Sequence, residues 1–342
     1  MNRLIHVPIE PYETRYTADW VQQFEDVFHK EWADYITILG PKVTTKLQAG
    51  SVLDACGTNI YKLYQLQRII TLIQNEAVTD GDILFFSDLW FPGIESLFYI
   101  RNITGVKFKI AGILHAGTYD PFDFTVRNGM RNWGNYIETA WFNEFDYIFV
   151  ATKFHKNLVI SNTANYDGKN IHVTGIPFYP SRLRKRYLAN KRENIVVFPH
   201  RTDAEKHPEL FDRLEMDVHS CGYTNWKFIK TMEVTKSREE YFELLAKSKI
   251  MVSFAEQETF GYSTVEAMAL GNYVVVPDRL SYKETVPWSY RYFSYDDATQ
   301  MIMNRIIHDD KYATPGEVYP ALAVFEYSIE NMLDVLKLRS TD

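Results

Sequence analysis

The apolar positions of this chain fall into two alternating series. In the first, short apolar runs of strand length at 4–8, 35–39, 83–86, 108–114, 147–151 and 171–175 alternate with longer stretches. Those stretches, 58–73, 92–101, 132–145 and 155–161, repeat their apolar residues every three to four positions and predict amphipathic helices. Parallel strands need crossover connections, which are usually helices, so the alternation predicts a parallel sheet covered on both faces. Regular patterning stops at Ile176-Pro177-Phe178-Tyr179-Pro180, where two prolines precede a basic run of Arg182, Arg184, Lys185, Arg186, Lys191 and Arg192. A second series then begins, with strands at 195–198, 226–229, 250–254 and 273–276 and helices at 208–218, 238–246 and 263–270.

The fold class that follows is α/β, with two Rossmann-like domains. The expected boundaries are 1–180 for the first domain, 181–322 for the second and 323–342 for a terminal segment whose helix spans 326–337. A length of 342 residues suits two domains, and an apolar fraction of 46% supports buried cores. No apolar run approaches the ~20 residues of a membrane span, and the amino terminus shows no charged-then-apolar signal. A cytoplasmic protein is expected. Cys56 and Cys221 are the two cysteines, and no Cys/His cluster has zinc spacing, so both read as reduced structural thiols. A net charge of −7 argues against a nonspecific nucleic-acid coat but leaves room for a local basic groove.

The most informative stretch is Glu258-Thr259-Phe260-Gly261-Tyr262-Ser263-Thr264-Val265-Glu266. A buried strand precedes it and a helix closed by Gly271 follows, which puts the loop at the carboxyl end of a strand. Ligands bind at that edge of a parallel sheet, and the first amides of the following helix favour a phosphate. Gly261, Tyr262, Ser263 and Thr264 lie at that helix start, Glu258 is placed to face a sugar, and Glu266 is placed to reach a ribose diol. Arg201 and Lys206 follow the strand 195–198, where two cations neutralise a departing diphosphate. His115 ends the strand from Phe108 and is followed by Ala116 and Gly117.

In these residues the chain resembles the retaining glycosyltransferases of the GT-B type, the broad family 4 group related to glycogen and sucrose-phosphate synthases. The hallmark is a pair of glutamates with an aromatic-Gly pair after the first. The resemblance covers the second domain well and the first through topology and His115. It implies two Rossmann-like domains facing each other across a cleft, with the last helix crossing back to the first. It also implies a nucleotide-sugar donor, a UDP-sugar, as co-substrate, with Glu258, His115, Arg201 and Lys206 at the chemistry. His115 would contact the donor sugar, and Glu258 would position that sugar and stabilise its cationic anomeric carbon. A phosphate oxygen would take the acceptor proton, so no protein nucleophile is needed; the competing route is a double displacement with two carboxylates about 5 Å apart.

Two features depart from the family. After the first strand the chain reads Pro8-Ile9-Glu10-Pro11-Tyr12-Glu13-Thr14-Arg15 in place of a Gly-Gly pair, which leaves Arg15 as the candidate phosphate contact. No Asp-x-Asp motif is present; Asp296-Asp297 and Asp309-Asp310 read as helix-start and helix-end charges, and no obligatory metal is expected.

The acceptor is read from the first domain. Its loops carry Trp90, Tyr119, Asp120 and Asp123: rings that stack on a sugar or an extruded base, and carboxylates that accept from hydroxyls or simply cap turns. Trp133 and Trp141 are further stacking candidates, but they fall within a helix, where packing in the core is at least as good a reading. The stretches 9–17 and 112–120 resemble a subgroup of glycosyltransferases common in tailed phages, and some phage enzymes of this fold decorate hydroxymethylated cytosine. Modified double-stranded DNA in a host cytoplasm is therefore the specific acceptor expected, with the basic run on its phosphates. A glycan or lipid-linked sugar is the alternative acceptor. An epimerase or an inactive sugar-nucleotide binding module is the alternative from another class.

Overall fold

The computed structural model describes residues 2–13, 15–42, 54–189, 191–308 and 319–338. Two units separate, one formed by Met1–Pro177 with Tyr327–Asp342 and the other by Phe178–Glu326.

The first unit holds strands β1 (Leu4–Val7), β2 (Tyr35–Thr37), β3 (Ile83–Phe86), β4 (Lys109–Ile113), β5 (Tyr147–Val150) and β6 (Ile171–Val173). They form one parallel sheet in the order β2-β1-β3-β4-β5-β6. Its helices are α1 (Trp20–Glu31), α2 (Ala55–Gln74), α3 (Glu95–Thr104), α4 (Arg131–Glu144) and α5 (Lys153–Asn162). Every residue of β1, β3 and β5 is buried, as expected of strands covered on both faces. The helix α1 was absent from the sequence reading, although its buried Trp20, Phe24, Val27 and Phe28 keep a helical period. It lays Phe24 and Phe28 against His6 and Phe85 of the sheet. Burial pushes the His6 imidazole down to about 3, and the neutral ring is satisfied by the Tyr35 and Ser87 hydroxyls.

The second unit holds β7 (Ile195–Phe198), β8 (Lys227–Lys230), β9 (Ile250–Val252), β10 (Tyr273–Pro277) and β11 (Arg291–Tyr292) in the order β11-β10-β9-β7-β8, again all parallel. Its helices are α6 (Pro180–Tyr187), α7 (Pro208–Ser220), α8 (Arg238–Lys247), α9 (Tyr262–Ala269) and α10 (Tyr295–Ile307). Asp297 belongs to a capping box with Ser294 at the start of α10, as its helix-start reading implied. Residues 309 and 310 lie outside the described residues.

The basic run read as a break in structure is instead largely the helix α6, with Pro180 in its first turn. Its charges have local partners. Arg184 donates to the Ala269 carbonyl, and Arg192 donates to those of Ser248, Leu270 and Gly271. These cations satisfy carbonyls at the ends of α8 and α9 that the helices themselves leave unpaired.

The terminal helix α11 (Ser328–Leu338) belongs to the first unit. It buries Ile329, Met332, Leu333 and Leu336, donates from Asn331 to the Thr174 carbonyl, and pairs Lys337 with Glu31 of α1. Cys56 and Cys221 are both free and exposed, so neither packs as a structural thiol.

Candidate functional site

In a parallel sheet the crevice for a ligand opens where the strand order reverses, between two strands whose following connections run to opposite sides. In the second unit that point lies between β7 and β9, so the loops after these strands, 199–206 and 253–260, flank it. The Glu256 amide bonds the Glu205 carbonyl at 2.8 Å and ties the two loops together.

Glu258, Lys206 and Gly261 meet there. One carboxylate oxygen of Glu258 accepts from the Gly261 amide at 3.0 Å, and the other lies 3.5 Å from the Lys206 ammonium. Lys206 is buried and also donates to the Gln257 carbonyl. Gly261 has φ +89°, and a Cβ there would sit 3.2 Å from the Tyr282 ring and 3.4 Å from Glu258, so glycine is what lets the chain turn tightly into α9. Ser263 stands in the first turn of α9, with its hydroxyl 3.2 Å from Nδ1 of His200. Arg201 is half-exposed and is held by Asp203 at 3.0 Å and Glu205 at 3.6 Å. Tyr262 packs its ring edge-on against Phe260 and Phe178, and Thr264 is buried with its amide bonded to the Gly261 carbonyl.

Glu266 stands apart from this group. It is buried on α9, where Arg238 reaches one oxygen at 3.1 Å and the Tyr241 hydroxyl donates to the other at 3.0 Å. Burial raises its carboxyl from the usual range while Arg238 opposes the rise. A ribose diol at Glu266 would share its oxygens with Arg238 and Tyr241.

The first unit reverses its strand order between β1 and β3. The loop after β1 buries Glu10, which accepts from the Thr58 hydroxyl, and sets the Arg15 guanidinium 5.9 Å from the centre of the Tyr12 ring. His115 follows the neighbouring strand β4. Its Nε2 lies 2.7 Å from the Ser87 carbonyl and its Nδ1 lies 3.1 Å from the Tyr16 hydroxyl. A carbonyl only accepts, so Nε2 carries a proton and donates to Ser87, while Nδ1 is in hydrogen-bond contact with the Tyr16 hydroxyl.

Three expectations for the acceptor loop are corrected by burial. Tyr119 lies in the core, with its hydroxyl 2.6 Å from the buried His155, and does not present a ring to a ligand. Asp123 caps a short helix by accepting from the Thr125 amide and hydroxyl, and Asp120 accepts from the Phe122 amide in a turn. Both carboxylates are buried, so the capping alternative describes them and the acceptor-hydroxyl role does not.

Trp90 is held by three polar handles. Its indole donates to Glu138 at 2.8 Å, its amide donates to Asp88 at 3.1 Å, and its carbonyl accepts from Lys62 at 2.7 Å. Lys62 and Asp88 themselves form an ion pair at 2.6 Å. The buried Glu138 also accepts from the Thr118 amide and hydroxyl, each at 2.7 Å, and a Cβ on Gly117 would press within 2.7 Å of it. Burial raises the Glu138 carboxyl, and these donors hold it down. Beside Trp90 opens a cavity of about 290 Å³ walled by Trp133, Trp141, Met130 and Ile137, with Asn59 and Glu95 among its polar lining. Trp133 and Trp141 stand at 65° and 82° to Trp90. Trp141 is core, as its helical position suggested, whereas Trp133 is 48% exposed and lines the cavity.

Sequence reasoning missed Lys62, Asp88, Glu138, Tyr16 and His200. A signal existed for Glu138. It shares the buried face of α4 with Gly134, Trp141 and Phe142, so a carboxylate occupies a position in the apolar period. Among the described residues no group of three or more metal-ligating side chains assembles, and no helix is long and apolar enough to cross a membrane.

No protein-family model matches the chain. Over 131 residues, 32% of this chain and 35% of the relative, it is 25% identical to a tRNA-queuosine alpha-mannosyltransferase of Drosophila melanogaster. Over 140 residues it is 29% identical to a putative glycosyltransferase, ORF313, of Acidianus filamentous virus 1, covering 38% of this chain and 42% of that one. The matches thus span less than half of each relative. Similarity of structure extends over the whole chain. Sucrose-phosphate synthase from Thermosynechococcus elongatus superposes with a TM-score of 0.65 at 12% identity, covering 99% of both chains. An alpha,alpha-trehalose-phosphate synthase (UDP-forming) from Burkholderia vietnamiensis gives 0.65 at 13% identity and 99% of both chains. Anabaena Alr3699/HepE, solved with UDP and glucose, gives 0.61 at 12% identity and 100% of both. The chain therefore has the GT-B fold: two parallel-sheet α/β domains of the kind these glycosyltransferases share.

Proposed function

We propose that this chain is a retaining glycosyltransferase that moves a sugar from a nucleoside diphosphate donor, a UDP-sugar, to a hydroxyl acceptor. The observation that carries the reading is the meeting of Glu258, Lys206 and the start of α9 at the strand-order reversal of the second unit. The names of the two sequence relatives support sugar transfer, and the UDP bound in a neighbour of the same fold supports the donor.

In this reading the diphosphate sits against the first turn of α9, and Ser263, Lys206 and Arg201 meet the negative charge that grows as the sugar–phosphate bond breaks. Glu258, fixed by Gly261 and Lys206, stabilises positive charge at the anomeric carbon. A diphosphate oxygen takes the acceptor's proton, so the new bond forms on the face the diphosphate leaves. His115 contacts the sugar through a ring whose tautomer Ser87 sets. Arg15 remains a proposed phosphate contact, and Glu266 a proposed ribose contact.

The acceptor is assigned to the first unit, at the cavity beside Trp90 and Trp133. Hydroxymethylated cytosine in DNA is the specific candidate, supported by a relative named for a nucleoside in tRNA. Of the basic run, Arg184 and Arg192 are engaged by carbonyls near α9, Arg186 pairs with Glu239 at 3.4 Å and Arg182 lies over the Tyr179 ring; the exposed charges Arg182, Lys185, Arg186 and Lys191 are the proposed phosphate contacts, which DNA would have to share with those partners. The aromatic cavity, whose lining contains no Lys or Arg, equally favours a neutral glycan, so that acceptor stands as the second reading. The test is release of UDP from a panel of UDP-sugars, with hydroxymethylcytosine DNA or oligosaccharides as acceptors and mass analysis of the product. Acceptor-dependent release with a mass gain on either acceptor supports the reading. No turnover of any donor overturns it.

A further inference from the structure

We infer that His200 is a positioning residue that aims the Ser263 hydroxyl at the donor's diphosphate, an inference that rests on the donor site proposed above. His200 follows β7 by two residues, lies at the strand-order reversal and is 4% exposed. Its Nδ1 is 3.2 Å from the Ser263 hydroxyl, while its Nε2 is buried with no hydrogen-bond partner among the described residues. Burial pushes the imidazole well below its ordinary value, and Lys206 and Arg201 push it the same way, so the ring is neutral.

A neutral imidazole carries one N–H and one lone pair. Burying an unpartnered N–H is rarer and more costly than burying an under-satisfied acceptor, so the proton belongs on Nδ1 and the bare lone pair on Nε2. Nδ1–H then donates to the Ser263 oxygen. With that lone pair occupied, the serine's own proton is directed away from His200. Ser263 stands in the first turn of α9, where the helix already favours an anion. A histidine that merely filled space would need no serine partner, and a freely rotating serine would lose part of its donor strength to reorientation. The pair supplies a preoriented donor beside Lys206.

Calorimetric titration of the full chain with UDP and with uridine tests this. H200L and S263A are each expected to weaken UDP binding about ten-fold, the loss of one hydrogen bond to a charged group. The double variant is expected to bind no more weakly than S263A alone, and uridine affinity is expected to stay at the wild-type value throughout. H200N, whose amide N–H replaces Nδ1–H, is expected to bind UDP within about two-fold of wild type. Should H200L fail to fold, H200Q, whose amide reaches the Nε2 position, gives the same expected loss. UDP affinity unchanged in the Leu or Gln variant, additive losses in the double variant, or an equal loss for uridine overturns the inference alone. A wild-type chain that binds no UDP overturns the inference together with the donor reading.

Discussion

Replacing Glu258 with glutamine removes one charge and leaves the shape of the loop almost intact. The glutamine carbonyl still accepts from the Gly261 amide, so the turn into α9 keeps its hydrogen bond. What disappears is the partner of Lys206, 3.5 Å away and buried. Two unit charges at about 4 Å attract by roughly 4 kcal/mol at an effective dielectric of about 20. Desolvation offsets much of that, the Glu258 side chain is 19% exposed, and Lys206 keeps its bond to the Gln257 carbonyl. The net loss of stability is about 1–2 kcal/mol. Transfer suffers far more if, as proposed, the lost charge faces the carbon where positive charge develops; a fall of about 10²–10³-fold in kcat is expected, with donor affinity changed only a few-fold. Urea denaturation reads the first quantity and UDP release under saturating donor reads the second. A Glu258→Gln enzyme that binds donor and turns over at the wild-type rate removes Glu258 from the chemistry.

Three other outcomes follow from the geometry. Gly261→Ala places a Cβ in a left-handed turn and 3.2 Å from the Tyr282 ring, so a loss of about 1–3 kcal/mol and weaker UDP binding are expected from denaturation and calorimetry. Trp141→Ala, in the core, is expected to cost about 3–5 kcal/mol, whereas Trp133→Ala is expected to leave the melting temperature nearly unchanged and raise KM for the acceptor alone. The His207 imidazole is opposed by partial burial but raised above its ordinary value by Glu209 and Glu256. Its stabilisation is therefore full below about pH 6.5 and lost as pH rises through the folded value, so the wild-type stability advantage over His207→Gln is expected to shrink between pH 5.5 and 8.5.

Much of the architecture was legible because parallel strands are apolar on both faces, and runs such as Ile195-Val196-Val197-Phe198 admit few other readings. The loop order then followed from where those strands end, which is why Glu258, Gly261, Ser263 and Lys206 were found together. The helix α6 was missed because its polarity hides a role that only the Ala269 carbonyl, bound by Arg184, reveals. Tyr119, Asp120 and Asp123 were misplaced because a loop's composition does not say which of its side chains turn inward. The supports of Trp90 were invisible for another reason: Lys62, Asp88 and Glu138 come from three separate stretches, and only folding brings them to one ring.

The account depends above all on a diphosphate being held where β7 and β9 diverge. Amide hydrogen exchange with and without UDP tests this directly. Protection strongest in the loops at 199–206 and 256–264 and in α9 is the predicted result. Unchanged exchange at saturating UDP, or protection confined to other segments, contradicts it.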